Sequence, residues 1–284
     1  MRVTGTGNTR VPTPTADGTS TAAPARTRGI ETGPFPASRR PVVAAERAGR
    51  RRAAMHSLVE LDVTTARELI AAADRPVSFT AFVAASVART AAAHPQTHAH
   101  RDWRGRLVRH RHVDVTTMVE VATGQGLFAL PHVLRDADVR DVHDLTSELR
   151  EAKADPAATA TGGLLERFGA SATRVPGLLP LMYTLLSRSP RVRQLTGTVA
   201  VTAVGMFGAD GGFGIAPPTV MPLQVVVGGP AERPRVTDGR IGPRTVLDLT
   251  VTFDHNVIDG APAARFMADL RRCVESAEVL CAAG

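Results

Sequence analysis

The sequence predicts a single α/β domain built on a mixed β-sheet. Three observations carry that prediction. The 284-residue chain is 43% hydrophobic but only 4% aromatic, which suffices for one sizeable aliphatic core. Strand-like and helix-like stretches mix without strict βα alternation or internal repeat. Near the C terminus an apolar strand, "RTVLDLTVTFD", leads through a short turn into a closing helix, "APAARFMADLRRCVES".

Taken in order, residues 1–38 are rich in Thr, Pro, Gly and Ala without periodicity, which predicts a disordered basic arm ahead of a folded body over 39–284. "RPVVAAERAGRRRAAMHS" reads as helical. "LVELDVT" (Leu58–Thr64) alternates as a strand does. "TARELIAAA" is a short helix with Thr64 or Thr65 as its N-cap. "SFTAFVAASVARTAAAH" is a strong helix, capped by Ser78 and stopped by Pro95. "HVDVTTMVEVAT" and "GLFALPHVL" are strands broken by the turn "TGQG", and "VRDVHDLTSELREAKA" is an amphipathic helix. An irregular helical region runs to Pro190. "GTVAVTAVG" (Gly197–Gly205) is a strand, followed by the glycine-rich "MFGADGGFGIAPP" and two buried strands, "LQVVVGG" and "RTVLDLTVTFD".

Charge is unevenly placed. Residues 1–52 hold ten Arg against three acids and so carry the whole +7 excess, while the remainder is balanced. A neutral body with one Trp and one Tyr argues against nucleic acid as a partner. The longest nearly uncharged apolar stretch, Val175–Ser187, is too short to span a bilayer. Two cysteines, Cys273 and Cys281, and no signal-peptide pattern lead to the expectation of a reducing, cytoplasmic setting. The histidines between His94 and His112 match no zinc spacing, so no metal is expected. "GADGGFG" does not lead from a strand into a clear helix and is read as a surface loop.

The chemistry concentrates in "FDHNVIDGAPAARF". His255 stands at the lip of a buried strand, where a neutral imidazole can serve as general base near neutral pH. Gly260 permits a backbone conformation closed to other residues and leaves room for a close approach. Asp259 sits beside the N-terminus of the next helix, and Pro262 suits its first turn.

That stretch resembles the signature of the acyltransferase core of 2-oxo acid dehydrogenase complexes, whose dihydrolipoamide acyltransferases share the fold of chloramphenicol acetyltransferase. The family writes it Asp-His-Arg-x-x-Asp-Gly-Ala, followed by Ala-Ala-Arg-Phe. "LVELDVTTARELI", "FTAFVAASVARTAAAHPQTHA", "GLFALPHVLRDAD" and "GTVAVTAVGMFG" resemble further family segments in the same order, over about residues 38–280. The resemblance implies a two-layer sandwich that forms trimers. It implies acyl-CoA as a substrate with no tightly bound cofactor, and His255 as the base that deprotonates the acceptor. It implies Thr202, in place of the family's serine, as an oxyanion donor from the neighbouring subunit. Asp259 then orients the site by pairing with an N-terminal arginine, Arg40 or else Arg39.

Three departures stand out. Asn256 replaces the arginine after the histidine, the family's Pro-x-x-Asn becomes "PQTH", and residues 164–193 are longer and more apolar than the family core requires. Of the 34 basic residues only Lys153 is a lysine, and "REAKADP" is not a lipoyl hairpin. The expected function is therefore CoA-dependent acyl transfer to a small-molecule hydroxyl or thiol. The alternative is an acyltransferase component of a 2-oxo acid dehydrogenase complex, acting on dihydrolipoyl groups supplied in trans. A non-catalytic scaffold is a third, weaker reading.

Overall fold

The computed structural model describes residues 32–36, 39–123, 126–155, 175, 177–203 and 211–281, with backbone alone at 121–123 and 126–128. The expected arm, 1–38, lies outside the described residues except for 32–36. So do Gly124 and Gln125 of the "TGQG" turn and the first part of the glycine-rich loop. The compact unit spans Pro36–Gly284.

Its elements are α1 (Arg40–Gly49), β1 (Ala54–Asp62), α2 (Thr64–Ala72), α3 (Phe79–Ala93), β2 (His100–Arg101), β3 (Leu107–Val108), β4 (Val115–Thr123), β5 (Gly126–Leu134), α4 (Val142–Ala154), α5 (Leu178–Arg188), α6 (Pro190–Arg193), β6 (Val199–Ala203), β7 (Leu223–Thr237), β8 (Arg240–Asp254), α7 (Gly260–Glu275) and α8 (Glu278–Cys281). Six strands form one mixed sheet in the order β1-β8-β7-β6-β4-β5. β6 runs parallel to β4 and β7, and the other neighbours are antiparallel. Helices pack on the sheet to give a two-layer α/β sandwich, as expected.

α3 lies at the centre of the helical layer. Its residues Ala81–Ala88 are all buried, because alanines let neighbouring helices and the sheet approach from several sides. β8 is an interior strand, paired with β1 on one side and β7 on the other. Leu247, Leu249, Val251 and Phe253 belong to the core beneath the helices. The alternate residues Asp248, Thr250, Thr252 and Asp254 are buried on the opposite side. Asp248, fully buried, takes both guanidinium nitrogens of Arg233 at 2.7 and 2.5 Å. β7 and β8 form one long hairpin through Asp238 and Gly239, both at positive φ, the backbone that an Asp-Gly hairpin turn requires.

Several local expectations are corrected. The predicted first helix ends at Gly49, and Ala54–Ser57 belong to β1, in register with Asp254–Val251. A methyl on Gly49 would come within 1.8 Å of the Pro218 carbonyl oxygen, so the end of α1 sits directly on that loop. The Asp62 carboxylate, two residues back, takes the N–H of Thr64 at 3.0 Å, where a threonine cap was expected. Ser78 precedes α3 without a side-chain cap, and its own N–H donates to Thr146 Oγ1.

Three histidines form a column against the buried Arg193. His100 and His110 have ring centroids 5.2 Å apart, and His98 and His110 are 6.2 Å apart. Burial, reinforced by His110 and Arg193, pushes His98 down to about 4. Burial, then Arg193, His110 and Arg52, pushes His100 down to about 3, with Asp102 opposing. Burial and Arg193 lower His110 as well, against Asp114.

An unfolded histidine titrates near 6.5, so below that pH the unfolded chain binds more protons than the folded one. Stability conferred by these neutral rings is complete above about pH 6.5 and is lost as the pH falls toward about 4, at up to ~1.4 kcal/mol per pH unit for each ring. Denaturant unfolding across this range should show the loss, and a His98→Asn/His100→Asn variant should show a flatter profile. A parent protein with pH-independent stability in that window would contradict the assignment.

Candidate active site

The site is built on the end of β8. Phe253 meets Phe266 of α7 edge to face at 5.5 Å, which fixes the strand end against the helix that follows. α7 is in turn tied to α3 by His94 Nε2 and Asp269 at 2.7 Å. The chain then turns sharply. Val257 N–H donates to the Asp254 carbonyl at 2.9 Å, and Ile258 is buried in the core as an anchor. His255 N–H donates to the Ala53 carbonyl at 2.7 Å, just ahead of β1.

These constraints present the imidazole at the surface of the single chain, with half its side chain exposed. Its Nδ1 lies 2.9 Å from the Ile258 carbonyl oxygen. A carbonyl accepts only, so Nδ1 carries the proton and Nε2 keeps its lone pair in the neutral ring. This tautomer can accept a proton from an approaching thiol or hydroxyl.

Asp259 Oδ1 is 3.9 Å from His255 Nδ1, outside hydrogen-bond range. The carboxylate is 90% exposed in the single chain. Gly260 is the first residue of α7. Its φ is not positive, and a methyl added there would touch nothing within 4 Å, so within this chain it serves neither of the purposes expected of it.

The arginine expected at Asp259 is not brought there. Arg40 is exposed at the start of α1, and that ten-residue helix places it roughly 15 Å from the helix's other end. The guanidinium that reaches the strand end is Arg52, just beyond α1, and its partner is Asp254. Both are largely buried, at 11% and 8% exposure. Arg52 also donates to the Val220 carbonyl, and the fully buried Arg193 donates to the same oxygen at 2.9 Å. Burial outweighs Asp254 and lowers the Arg52 pKa. Burial and the neighbouring Arg52 bring Arg193 down to about 9. Asn256 completes the clamp, its amide donating to Asp254 Oδ1 at 2.8 Å.

Sequence reasoning missed Arg52 and Arg193. The available signal was an aspartate placed directly before His255 on a buried strand, which requires a cation.

Thr202 lies on β6, far from His255 of the same chain. It pairs with Val226 of β7, which pairs with Thr250 of β8. Two strand spacings across and five residues along put it on the order of 15–20 Å from His255. Among the described residues no group of three His, Cys, Asp or Glu converges as a metal site, and no helix is long and apolar enough to cross a membrane.

The fold is that of the catalytic cores of dihydrolipoamide acyltransferases. The cubic core of a pyruvate dehydrogenase multienzyme complex superposes with a TM-score of 0.66 at 19% identity, over 95% of this chain and 98% of that one. The dihydrolipoamide acetyltransferase of Azotobacter vinelandii gives 0.66 at 18% identity over the same shares. Residues 189–282, which contain β6, β7, β8 and α7, match the family "2-oxoacid dehydrogenases acyltransferase (catalytic domain)". A chloroplastic dihydrolipoyllysine-residue acetyltransferase component of Arabidopsis thaliana is 28% identical over 70% of this chain, and a Rickettsia bellii counterpart 25% identical over 70%. The aligned region spans 36% and 40% of those two relatives.

The Arg52–Asp254 pair gives a direct test. Arg52→Met leaves the Asp254 carboxylate buried without its cation, and denaturant unfolding should show a loss of about 3–5 kcal/mol. A change within about 0.5 kcal/mol, the scale of an ordinary surface substitution, would show that the pair does not anchor the strand end.

Proposed function

We propose that the chain transfers acyl groups between coenzyme A and a dihydrolipoyl thiol, with His255 as the general base. The observation that carries this reading is the fixed ring of His255: Nδ1 is committed to the Ile258 carbonyl and Nε2 is left as acceptor. The acceptor thiol gives its proton to Nε2, and its sulfur attacks the thioester carbonyl of acyl-CoA. The resulting oxyanion collapses, the carbon–sulfur bond to CoA breaks, and the departing CoA sulfur takes the proton back from the imidazolium. One thioester is exchanged for another, so the same groups serve the reverse direction.

Thr202 of a neighbouring subunit donates its hydroxyl to the oxyanion, within a trimer. The strand register supports this arrangement, because a hydroxyl so far from its own His255 can serve only another chain's site. In the Azotobacter vinelandii enzyme, the catalytic roles of a serine, a histidine and an asparagine four positions beyond the histidine have been investigated. His255 and Asp259 stand at the same spacing.

The names of the relatives support a dihydrolipoyl acceptor over the small-molecule hydroxyl expected first. They are acetyltransferase components of pyruvate dehydrogenase complexes and, in Pseudomonas putida, a lipoamide acyltransferase component of a branched-chain complex, 35% identical over 86 residues.

A thiol-release assay with acetyl-CoA should show turnover with free dihydrolipoamide and little with simple alcohols. The opposite preference would return the acceptor to the small-molecule class. His255→Ala should lower the rate by about 10²–10⁴-fold with the fold intact, and near-normal turnover would remove it as base. Thr202→Val keeps the shape and removes the hydroxyl, for an expected loss of about 10²–10³-fold. Assemblies mixed from these two inactive variants should regain activity, since some interfaces pair an intact Thr202 with an intact His255. Recovery that never rises above the separate variants would place both residues in one chain's site.

A further inference from the structure

Arg193 is a cation buried without a carboxylate. It is fully buried at the end of α6, and its acceptors are all uncharged: the Leu186 carbonyl at 3.3 Å, the Val220 carbonyl at 2.9 Å and Met221 Sδ at 3.6 Å. Its Nε–H has no acceptor among the described residues. Two of the rings stacked against it repeat the pattern. His98 and His100 are each 1% exposed, and both nitrogens of His98 and Nε2 of His100 lack a hydrogen-bond partner among the described residues. The Ala91 backbone bears on one edge of His98 without reaching hydrogen-bond geometry.

The carboxylates nearby are committed elsewhere. Asp254 is held by Arg52 and Asn256. Asp102 accepts from the N–H groups of Arg104 and Arg106 and from Arg106 Nε. Asp114 accepts from Arg135 at 2.6 Å and from the Asp136 N–H. Two buried cations, Arg52 and Arg193, therefore face one free-standing carboxylate, Asp254. Burial and Arg52 bring Arg193 down to about 9, so it keeps its charge at neutral pH, while the histidines stay uncharged. One unit of negative charge is missing from the cluster. A buried charge left uncompensated is strongly destabilising.

The unpartnered atoms can all donate. Arg193 Nε is a donor only. His100 Nδ1 lies 3.2 Å from His110 Nε2, and with His110 donating there, the proton of His100 sits on Nε2. Water would satisfy these donors but leave the charge. N–H groups converging in an enclosed place, with one charge to match, suit a monatomic anion better than a phosphate or sulfate. We infer that Arg193, His98 and His100 form a buried site for a halide ion, chloride in ordinary buffers, which accepts the Arg193 Nε–H, the His100 Nε2–H and an N–H of His98. The site is independent of the proposed acyl transfer. It lies one link behind the catalytic turn, because Arg193 and Arg52 share the Val220 carbonyl and Arg52 holds Asp254.

The test follows thermal unfolding at neutral pH and fixed ionic strength while sodium gluconate is replaced by sodium chloride, then by sodium bromide. An ion bound only by the folded state multiplies the folding equilibrium constant by about ten for each tenfold rise in its concentration above Kd. Chloride and bromide should each raise Tm in this logarithmic way. Arg193→Met removes the cation and should abolish the response. Wild-type crystals soaked in bromide should give an anomalous peak against Arg193 Nε, a result that does not depend on the variant folding. Equal Tm in gluconate and chloride, a chloride response that survives in Arg193→Met, or bromide peaks with none at Arg193 would each overturn the site. A peak at Arg193 without any stabilisation in solution would mark an adventitious ion only and overturn it as well.

Discussion

The end of β8 depends on one buried ion pair. Arg52 and Asp254 lie 202 residues apart in the chain and meet where α1, β8 and the loop at Val220 converge. Neither group can be charged there without the other. Such a pair need not add much to stability over an apolar substitute, but it makes wrong arrangements costly. Asp254 can be satisfied only when α1 has docked, and α1 docks only where Gly49 lets it touch Pro218. The turn bearing His255 is thus tied to the N-terminal helix and to the loop before β7. Arg193 lies against the same Val220 carbonyl and extends the anchor into the histidine column.

Much of the fold was legible because it is local. Alternation along Leu58–Asp62 and the apolar runs of β7 and β8 mark strands. The error at Ala54–Ser57 is instructive: Ala, Met and His have no strong preference for extended backbone, and pairing with Val251–Asp254 decides their state. β8 was read as a buried strand, and it is indeed interior, between β1 and β7. Its polar residues are buried too, because Asp248 meets Arg233 of the adjacent strand β7 and Asp254 meets Arg52 of a distant segment.

The site was legible in part. A histidine at a strand end, followed by a turn and a helix, is a local pattern, and its tautomer follows from the carbonyl of Ile258 three residues on. The partner of the preceding aspartate was not legible, since nothing in the spacing from 52 to 254 announces it. Asn256, read as a departure from the family string, has a physical role that only the structure gives: its amide holds Asp254. The choice of acceptor was not legible from residues at all and leans on what the relatives are.

The single lysine has a chemical consequence for the proposed acyl transfer. Thioesters acylate free amines without any enzyme, and a lysine ε-amine is the usual victim. Here the cationic surface is made almost wholly of guanidiniums, which stay protonated and do not act as nucleophiles. Lys153, exposed in the last turn of α4, is the one side-chain amine in the sequence. The protein can therefore carry a cationic surface while offering the proposed acyl donor almost nothing to modify by accident.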